Sequence, residues 1–214
     1  MKRTPDSRPG MHDEKTLYAD NLAYLDKQVG EIVQELNRLK LREKTLIVFS
    51  GDNGTVAKFA APIAGRIIHG SKGQMLEGGS RVPLIANWKG ATPKGEVVKD
   101  LVDFSDFFPT FAEVAGAKLP SNLVIDGHSF APQLHGQPGK PRKWVYVQLG
   151  HQWYVRSHEF KLTDKGELFD MKDAPFVENH IPTNSEDAGA RTARKNLHKV
   201  LESLSPGSGK HDKL

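Results

Sequence analysis

Apolar residues recur at alternating spacings of four and three between residues 14 and 42: Tyr18, Leu22, Leu25, Val29, Ile32, Leu36 and Leu39. This period places all of them on one face of an α-helix. A coiled coil has a similar period, but three heptads are a marginal length for one. The pattern therefore predicts an amphipathic helix that packs on a sheet.

A short, continuous apolar run, TLIVF, occupies residues 45–49 directly after a polar turn at residues 42–44. A β-branched run of this length is typical of a strand that is buried on both faces of a parallel sheet. A helix, a short turn and a buried strand together make half of an α/β unit. The run leads into Asp52-Asn53-Gly54, and open α/β sheets bind their ligands beyond the carboxyl ends of their strands.

Downstream, the pattern predicts a second strand over residues 82–88 and a helix over residues 105–115, capped by Ser105 or Asp106. After residue 140 the chain changes to short apolar runs separated by turn residues, which indicate a small antiparallel sheet. These runs are WVYVQL, WYVRS, FKLT and GELFDM. A closing amphipathic helix is predicted over residues 190–204.

The pattern of apolar and polar positions divides the chain into four parts. A disordered segment over residues 1–13 precedes an α/β part over residues 14–140. A small antiparallel sheet with its closing helix covers residues 141–204, and a disordered tail covers residues 205–214. The predicted fold class is therefore α/β, followed by a small antiparallel α+β subdomain.

Composition narrows the possible functions. The absence of cysteine excludes disulfides, thiolate metal sites and a cysteine nucleophile in this chain. The net charge of +4 comes from basic residues scattered among almost as many acids, so we expect no nucleic-acid partner. No apolar run reaches the ~20 residues that span a bilayer, so we expect no membrane partner. The start, MKRTPDSRPG, lacks the apolar core of a signal peptide.

Three residues carry the candidate chemistry. Asp52 and Asn53 offer a carboxylate and an amide oxygen, which are hard ligands suited to Ca²⁺ or Mg²⁺. The same tripeptide with Gly54 is also an ordinary turn sequence, so a purely structural role stays open. Lys72 lies in a glycine-flanked loop, where it could meet an anionic oxygen or could be a surface lysine. Glu77 and Arg81 flank two glycines, and we expect them to pair across the turn.

Six short motifs follow one another along the chain. They are Leu25-Asp26 with Val29-Gly30, Ser50-Gly51-Asp52-Asn53-Gly54, Lys72-Gly73 leading to Glu77-Gly78-Gly79-Ser80-Arg81-Val82-Pro83, Asp106-Phe107-Phe108-Pro109-Thr110, Asp126-Gly127-His128-Ser129, and Gly166-Glu167-Leu168-Phe169-Asp170. Each motif is weak alone, but their order and spacing resemble the sulfatase (arylsulfatase) family of the alkaline-phosphatase superfamily. The resemblance runs from Tyr18 to about residue 181.

The resemblance implies the C-terminal part of an alkaline-phosphatase-like α/β/α sandwich, followed by the small antiparallel subdomain. It also implies metal ligation by Asp52 and Asn53, with Ca²⁺ favoured over Mg²⁺. Lys72 would be the catalytic, substrate-binding contact to a sulfate oxygen. The Glu77-to-Arg81 element would hold the loop rather than react.

The sequence departs from the family where the nucleophile belongs. Sulfatases use a formylglycine made from cysteine or serine in a cysteine/serine-x-proline-x-arginine motif, which this chain lacks. The paired aspartates and the histidine-lysine ligands of the family are also missing. We therefore expect formylglycine in a separate N-terminal portion, no hydrolysis by this chain alone, and an unpaired edge on strand 45–49. Self-association or pairing with the N-terminal half would cover that edge.

Two other functions stay open. A phosphatase or phosphonate hydrolase of the same superfamily would share the metal chemistry. A non-catalytic interaction fragment would keep the fold without a metal site. Complete members of the family are usually exported, so a periplasmic or secreted location is expected for the complete protein.

Overall fold

The computed structural model describes residues 1–10 and 12–204; the predicted tail, 205–214, lies outside these residues. The helices and strands are α1 Glu14–Arg38, β1 Leu46–Ser50, β2 Ala60–Ile63, β3 Arg66–His69, α2 Glu77–Ser80, β4 Leu84–Trp88, α3 Phe107–Val114, α4 Ala131–Leu134, β5 Val145–Leu149, β6 Gln152–Arg156, β7 Phe160–Thr163, β8 Leu168–Asp170, β9 Asn179–Ile181 and α5 Ala188–Leu204. Short 3₁₀ turns precede β1 at Arg42–Lys44 and α3 at Phe104–Asp106.

The chain divides into two compact units. The first unit contains Met1–Phe49 and Ile85–Lys94, and the second contains Ser50–Leu84 and Gly95–Leu214. The predicted limits at residues 13, 140 and 204 stay predictions.

Helix α1 confirms the predicted amphipathic helix. It begins where the Asp13 carboxylate accepts a hydrogen bond from the Thr16 N–H at 2.8 Å, which satisfies one of the free amides of the first turn. It ends at Arg38, four residues before the predicted end, because Lys40 takes a left-handed φ of 58°. Before the helix, the Thr4 hydroxyl donates to the Asp20 carboxylate of α1 at 2.9 Å.

The apolar stripe of α1 is largely open to solvent. Leu17 is the one residue of the helix that is buried. Four other members of the apolar face are 41–57% exposed: Leu22, Leu25, Ile32 and Leu39. Such a continuous apolar face is uncommon on the surface of a soluble monomer and marks a contact surface.

Strands β1 and β4 form a two-stranded sheet in the first unit. The Trp88 indole N–H donates to the Glu43 carbonyl oxygen at 2.8 Å and fixes the end of β4. Every residue of β1 is only half-buried, so the predicted burial on both faces is wrong. In addition, β1 has a single partner strand among the described residues, which leaves its other edge unpaired.

The second unit contains an antiparallel sheet in which β5 to β9 pair in chain order. This confirms the predicted antiparallel subdomain, with β9 as an additional strand. One face of the sheet packs on α5. This helix confirms the predicted closing helix, and it begins two residues earlier than predicted. The apolar core between them consists of Val155, Leu162, Leu168, Ala190, Leu197 and Leu201.

The opposite face of this sheet is polar and yet buried. Val155 and Leu162 are cross-strand partners that point toward α5. Because side chains alternate along a strand, Tyr154, Arg156 and Lys161 point the other way. All three side chains are buried.

The turn before helix α3 is stabilised by two aspartates, Asp103 and Asp106. The Asp103 carboxylate accepts from the Ser105 N–H at 2.9 Å, and Asp106 accepts from the Asp103 N–H at 2.8 Å. The pair forms a reciprocal capping box. Asp106 is the N-cap residue of α3, as predicted, but its side chain makes no capping bond to that helix. Asp103 caps the preceding turn, and Asp106 closes the box.

Asp106 also joins two of the sequence motifs. Its buried carboxylate pairs with Arg142 and accepts from the His128 N–H at 2.6 Å. Close approach here needs glycine, because a Cβ on Gly127 would lie 2.0 Å from the Ser105 carbonyl oxygen. Two of the motifs thus have a structural role, because their residues bond the two segments to each other: aspartate-x-x-proline-threonine and aspartate-glycine-x-serine.

No helix within residues 1–10 and 12–204 is both long enough and apolar enough to cross a membrane.

Candidate functional site

The structure brings the two predicted site segments side by side within the second unit. The Gly54 N–H donates to the Gly79 carbonyl oxygen at 2.8 Å, and the Lys72 N–H donates to the Thr55 carbonyl oxygen at 2.9 Å. The turn that carries Asp52 and Asn53 is therefore bonded directly to the loop that carries Lys72.

Glycine is required where these segments meet. A Cβ on Gly54 would lie 1.9 Å from the Gly78 carbonyl oxygen, and one on Gly78 would lie 2.3 Å from the His69 carbonyl oxygen. Any larger residue would have to push the backbones apart. The glycine pair in the motif thus serves backbone packing between the loops.

Asp52 and Asn53 present adjacent oxygen donors. Asp52 is exposed and Asn53 is half-buried, and the Asn53 amide donates to the Asp52 carboxylate at 2.5 Å. These donors fit a hard divalent cation, which prefers carboxylate and amide oxygens. They supply only part of a shell of six to eight oxygens, and residues 1–10 and 12–204 hold no cluster of three or more acidic, histidine or cysteine ligands.

Lys72 lies on an exposed bend that its backbone bonds hold in place. The Gln74 N–H donates to the Ser71 carbonyl oxygen at 2.9 Å, and Gly73 takes a φ of 85° that favours glycine. Among the residues the structure describes, the Lys72 ammonium has no ion-pair partner. It is therefore open to an anion from solution. His69, at the end of β3, is also exposed.

Glu77 is buried and pairs with a residue of the antiparallel sheet. Its side chain is 3% exposed, and its Oε1 accepts from Arg156 Nη1 at 2.6 Å. The predicted contact with Arg81 is present, at 3.4 Å, but Arg81 is 56% exposed. Since a buried ion pair is screened less than an exposed one, Arg156 is the main partner of Glu77. The sequence carried no sign of this pair, whose members are 79 residues apart.

Two further residues were missed by sequence reasoning: Lys161 and Glu178. The Lys161 ammonium pairs with Glu178 and donates to the Met75 carbonyl oxygen at 3.1 Å. The other Glu178 oxygen accepts the Glu77 N–H at 2.7 Å. Burial lowers the pKa of Lys161 to about 8, against the opposing effect of the Glu77 carboxylate. The alternation in FKLT could have revealed Lys161, because it places that residue and Leu162 on opposite faces.

Tyr154 completes this polar face of the sheet. Its hydroxyl shares a hydrogen bond with the Ser80 hydroxyl at 2.6 Å. Burial raises the pKa of Tyr154 to about 12. The antiparallel sheet therefore contacts the site loop at Met75, at Glu77 and at Ser80.

The fold is alkaline-phosphatase-like. The chain superposes on the protein BT4656, solved in complex with its substrate D-glucosamine-2-N,6-O-disulfate, with a TM-score of 0.73 and 24% identity. The match covers 92% of this chain and 42% of that one. This likeness confirms the predicted fold class.

The Sulfatase family model matches residues 2–117, and the model of the N-sulphoglucosamine sulphohydrolase C-terminal region matches residues 69–206. The chain belongs to the sulfatase family. It is 36% identical to mouse (Mus musculus) steryl-sulfatase over 125 residues and 36% identical to human (Homo sapiens) arylsulfatase A over 141 residues. These matches cover 56% and 65% of this chain.

The chain spans only part of these relatives. The matched region is 20% of the mouse steryl-sulfatase and 27% of the human arylsulfatase A. The resemblance seen in the sequence motifs is confirmed, and it concerns a portion of the sulfatase fold.

Proposed function

We propose that this chain supplies the metal-binding and sulfate-contacting part of a sulfuric-ester hydrolase site. Asp52 and Asn53 would hold a calcium ion, and Lys72 would contact a sulfate oxygen of the substrate. The observation that carries the proposal is the pair of backbone hydrogen bonds, from Gly54 to Gly79 and from Lys72 to Thr55, that joins the two loops.

The chemistry of sulfate esters suits these residues. Cleavage of the ester leaves negative charge on the departing oxygen, and fixed positive charge nearby lowers the barrier. A bound calcium ion would supply Lewis-acid stabilisation of that charge. The Lys72 ammonium would bind and orient the sulfate group, and the backbone bond to Thr55 would keep the lysine from moving with the substrate.

We propose that the chain is inactive alone. It contains neither cysteine nor a serine-x-proline-x-arginine motif, from which the formylglycine nucleophile would be made. The nucleophile and the remaining metal ligands would come from the N-terminal portion of the sulfatase fold.

The proposed partner is that N-terminal portion. More than half of the BT4656 chain lies outside the region matched here, since the match covers 42% of it. The first unit exposes the apolar stripe of α1, and the second exposes three aromatic side chains around α3: Phe104, Phe108 and Phe111. Covering such faces would remove apolar area from water and favour association.

Calcium titration by calorimetry on the described chain tests the metal assignment. We expect a dissociation constant in the range of about 10⁻⁶ to 10⁻³ M, with heat lost in Asp52→Ala and in Asn53→Ala. Asp164→Ala and Asn122→Ala, at exposed positions elsewhere, are the matched controls. Equal binding by all four variants would show that the ion is held by other residues.

Complementation tests the catalytic assignment. Mixing the chain with an N-terminal sulfatase portion should produce hydrolysis of an aryl sulfate, and Lys72→Ala should abolish it. A higher rate on an aryl phosphate than on the sulfate would indicate the phosphatase alternative. Tight association without any hydrolysis, unaffected by Asp52→Ala and Lys72→Ala, would indicate the non-catalytic interaction fragment. If the chain instead pairs with itself and ignores the N-terminal portion, the proposed partner is wrong.

A further inference from the structure

The buried polar face of the antiparallel sheet has a role that the proposed site does not yet explain. We infer that Lys161 is a positioning residue for the loop at residues 70–80, and that it sets the location of Lys72 without contacting the substrate. The inference rests on the proposed function of Lys72.

Lys161 is bonded to the backbone of the loop. Its side chain is 2% exposed, and its ammonium bonds the Met75 carbonyl oxygen directly. It also pairs with Glu178, whose other oxygen accepts the Glu77 N–H. One lysine thus holds the backbone on both sides of Leu76, once directly and once through Glu178.

Backbone hydrogen bonds connect this part of the loop to Lys72. The Gly79 N–H donates to the Leu76 carbonyl oxygen at 2.8 Å, so that residues 76–79 form one closed turn. The Ser71 N–H donates to the Gly78 carbonyl oxygen at 3.1 Å. Any displacement of this turn would therefore move Ser71 and, with it, Lys72.

Hydrophobic packing alone does not require a lysine here. The ammonium lies 4.9 Å from the Phe169 ring centroid and 5.1 Å from that of Tyr154, so an apolar side chain could fill the same space. Replacing a buried ion pair by apolar residues of similar size is often neutral or stabilising. What such a replacement cannot supply is the pair of hydrogen bonds to the loop backbone.

This distinction gives a sharp test. Lys161→Met alone would leave the Glu178 carboxylate and the Met75 carbonyl oxygen buried without their hydrogen-bond donor, which would destabilise the fold. The double variant Lys161→Met/Glu178→Met removes both charges together and keeps the stability close to that of the wild type. The exposed ion pair of Lys89 and Glu43, whose charged atoms lie 3.2 Å apart, gives the matched control Lys89→Met/Glu43→Met.

Amide hydrogen exchange on the whole chain is the readout. In the buried double variant, we expect protection of the amides of Ser71, Lys72 and Glu77 to fall at least tenfold, while protection in β6, β7 and α5 stays unchanged. The control should match the wild type throughout. Loop protection within twofold of the wild type, or an equal loss over the whole chain, would overturn the inference.

A second readout separates positioning from structure alone. Sodium sulfate is titrated while the Lys72 amide resonance is followed, and the buried double variant should weaken the dissociation constant severalfold at unchanged thermal stability. An unchanged constant despite a loosened loop would show that Lys161 does not position Lys72 for an anion. If the wild type binds neither sulfate nor calcium, the proposed function fails, while the exchange result still decides whether Lys161 fixes the loop.

Discussion

Raising the pH should stabilise this protein through Lys161. Burial lowers the pKa of its ammonium from 10.5 to about 8 in the folded chain. Between these values the unfolded chain binds more protons than the folded chain, so the free energy of unfolding rises with pH. Below pH 8 both states carry the proton, and the cost of burying the charge is present in full.

The magnitude follows from the difference between the two pKa values. Each pKa unit corresponds to about 1.4 kcal/mol, and the part of the shift that is realised between pH 7 and pH 9.5 amounts to about 2 kcal/mol. Tyr154 has the opposite sign, because its pKa is raised from 10.0 to about 12 and its contribution is lost as the pH rises above 10. Below pH 9.5 the pH dependence of stability therefore reports on Lys161 and not on Tyr154.

Urea unfolding at pH 7.0, 8.0, 9.0 and 9.5 measures the effect. The wild type is compared with Lys161→Met/Glu178→Met, in which other titrating groups remain and their contributions cancel in the difference. The free energy of unfolding of the wild type, relative to that of the double variant, should rise by about 2 kcal/mol across the window. A difference that is independent of pH, or one that moves against the wild type, would refute the reasoning.

Three substitutions give further tests. Arg142→Met leaves the Asp106 carboxylate buried without its partner and should lower the free energy of unfolding, measured by urea unfolding, by about 3–5 kcal/mol. A loss below about 1 kcal/mol would contradict the structural role of the Asp106–Arg142 pair. Gly54→Ala places a Cβ 1.9 Å from the Gly78 carbonyl oxygen, and it should abolish calcium heat in calorimetry; retained binding would show that the two loops need not touch. Gly30→Ala, in α1 with no atom within 4 Å of the new Cβ, should raise the melting temperature by stabilising the helix by up to about 1 kcal/mol.

The elements that the sequence predicted are those whose pattern is local and periodic. Helix α1 and strands β5 to β8 follow directly from apolar spacing. The β2–β3 hairpin was missed because Pro62 and alanines occupy the first strand, where β-branched residues would be expected. Its turn uses Ala64 and Gly65 with φ values of 50° and 78°, and Ala-Gly is not a usual sequence for such a turn.

The candidate site could be proposed from the sequence only as a set of separate segments. Asp52, Asn53 and Lys72 could be chosen from motif spacing, and the abundance of glycine agreed with closely packed loops. The ion pair of Glu77 with Arg156 and the grip of Lys161 on Met75 join residues far apart in the chain. No local pattern encodes such pairs, because they depend on how the antiparallel sheet lies against the loop.

The polar face of that sheet has a consequence for reading genetic variants of this chain. A premature stop after residue 140 would keep Asp52, Asn53 and Lys72, and an inspection of motifs alone would score the proposed site as intact. The product would nevertheless lack Arg156, Lys161 and every other sheet residue that bonds the loop. Missense changes in β6 and β7 should accordingly be grouped with those at the site itself, although they lie about 80 to 90 positions downstream of the loop.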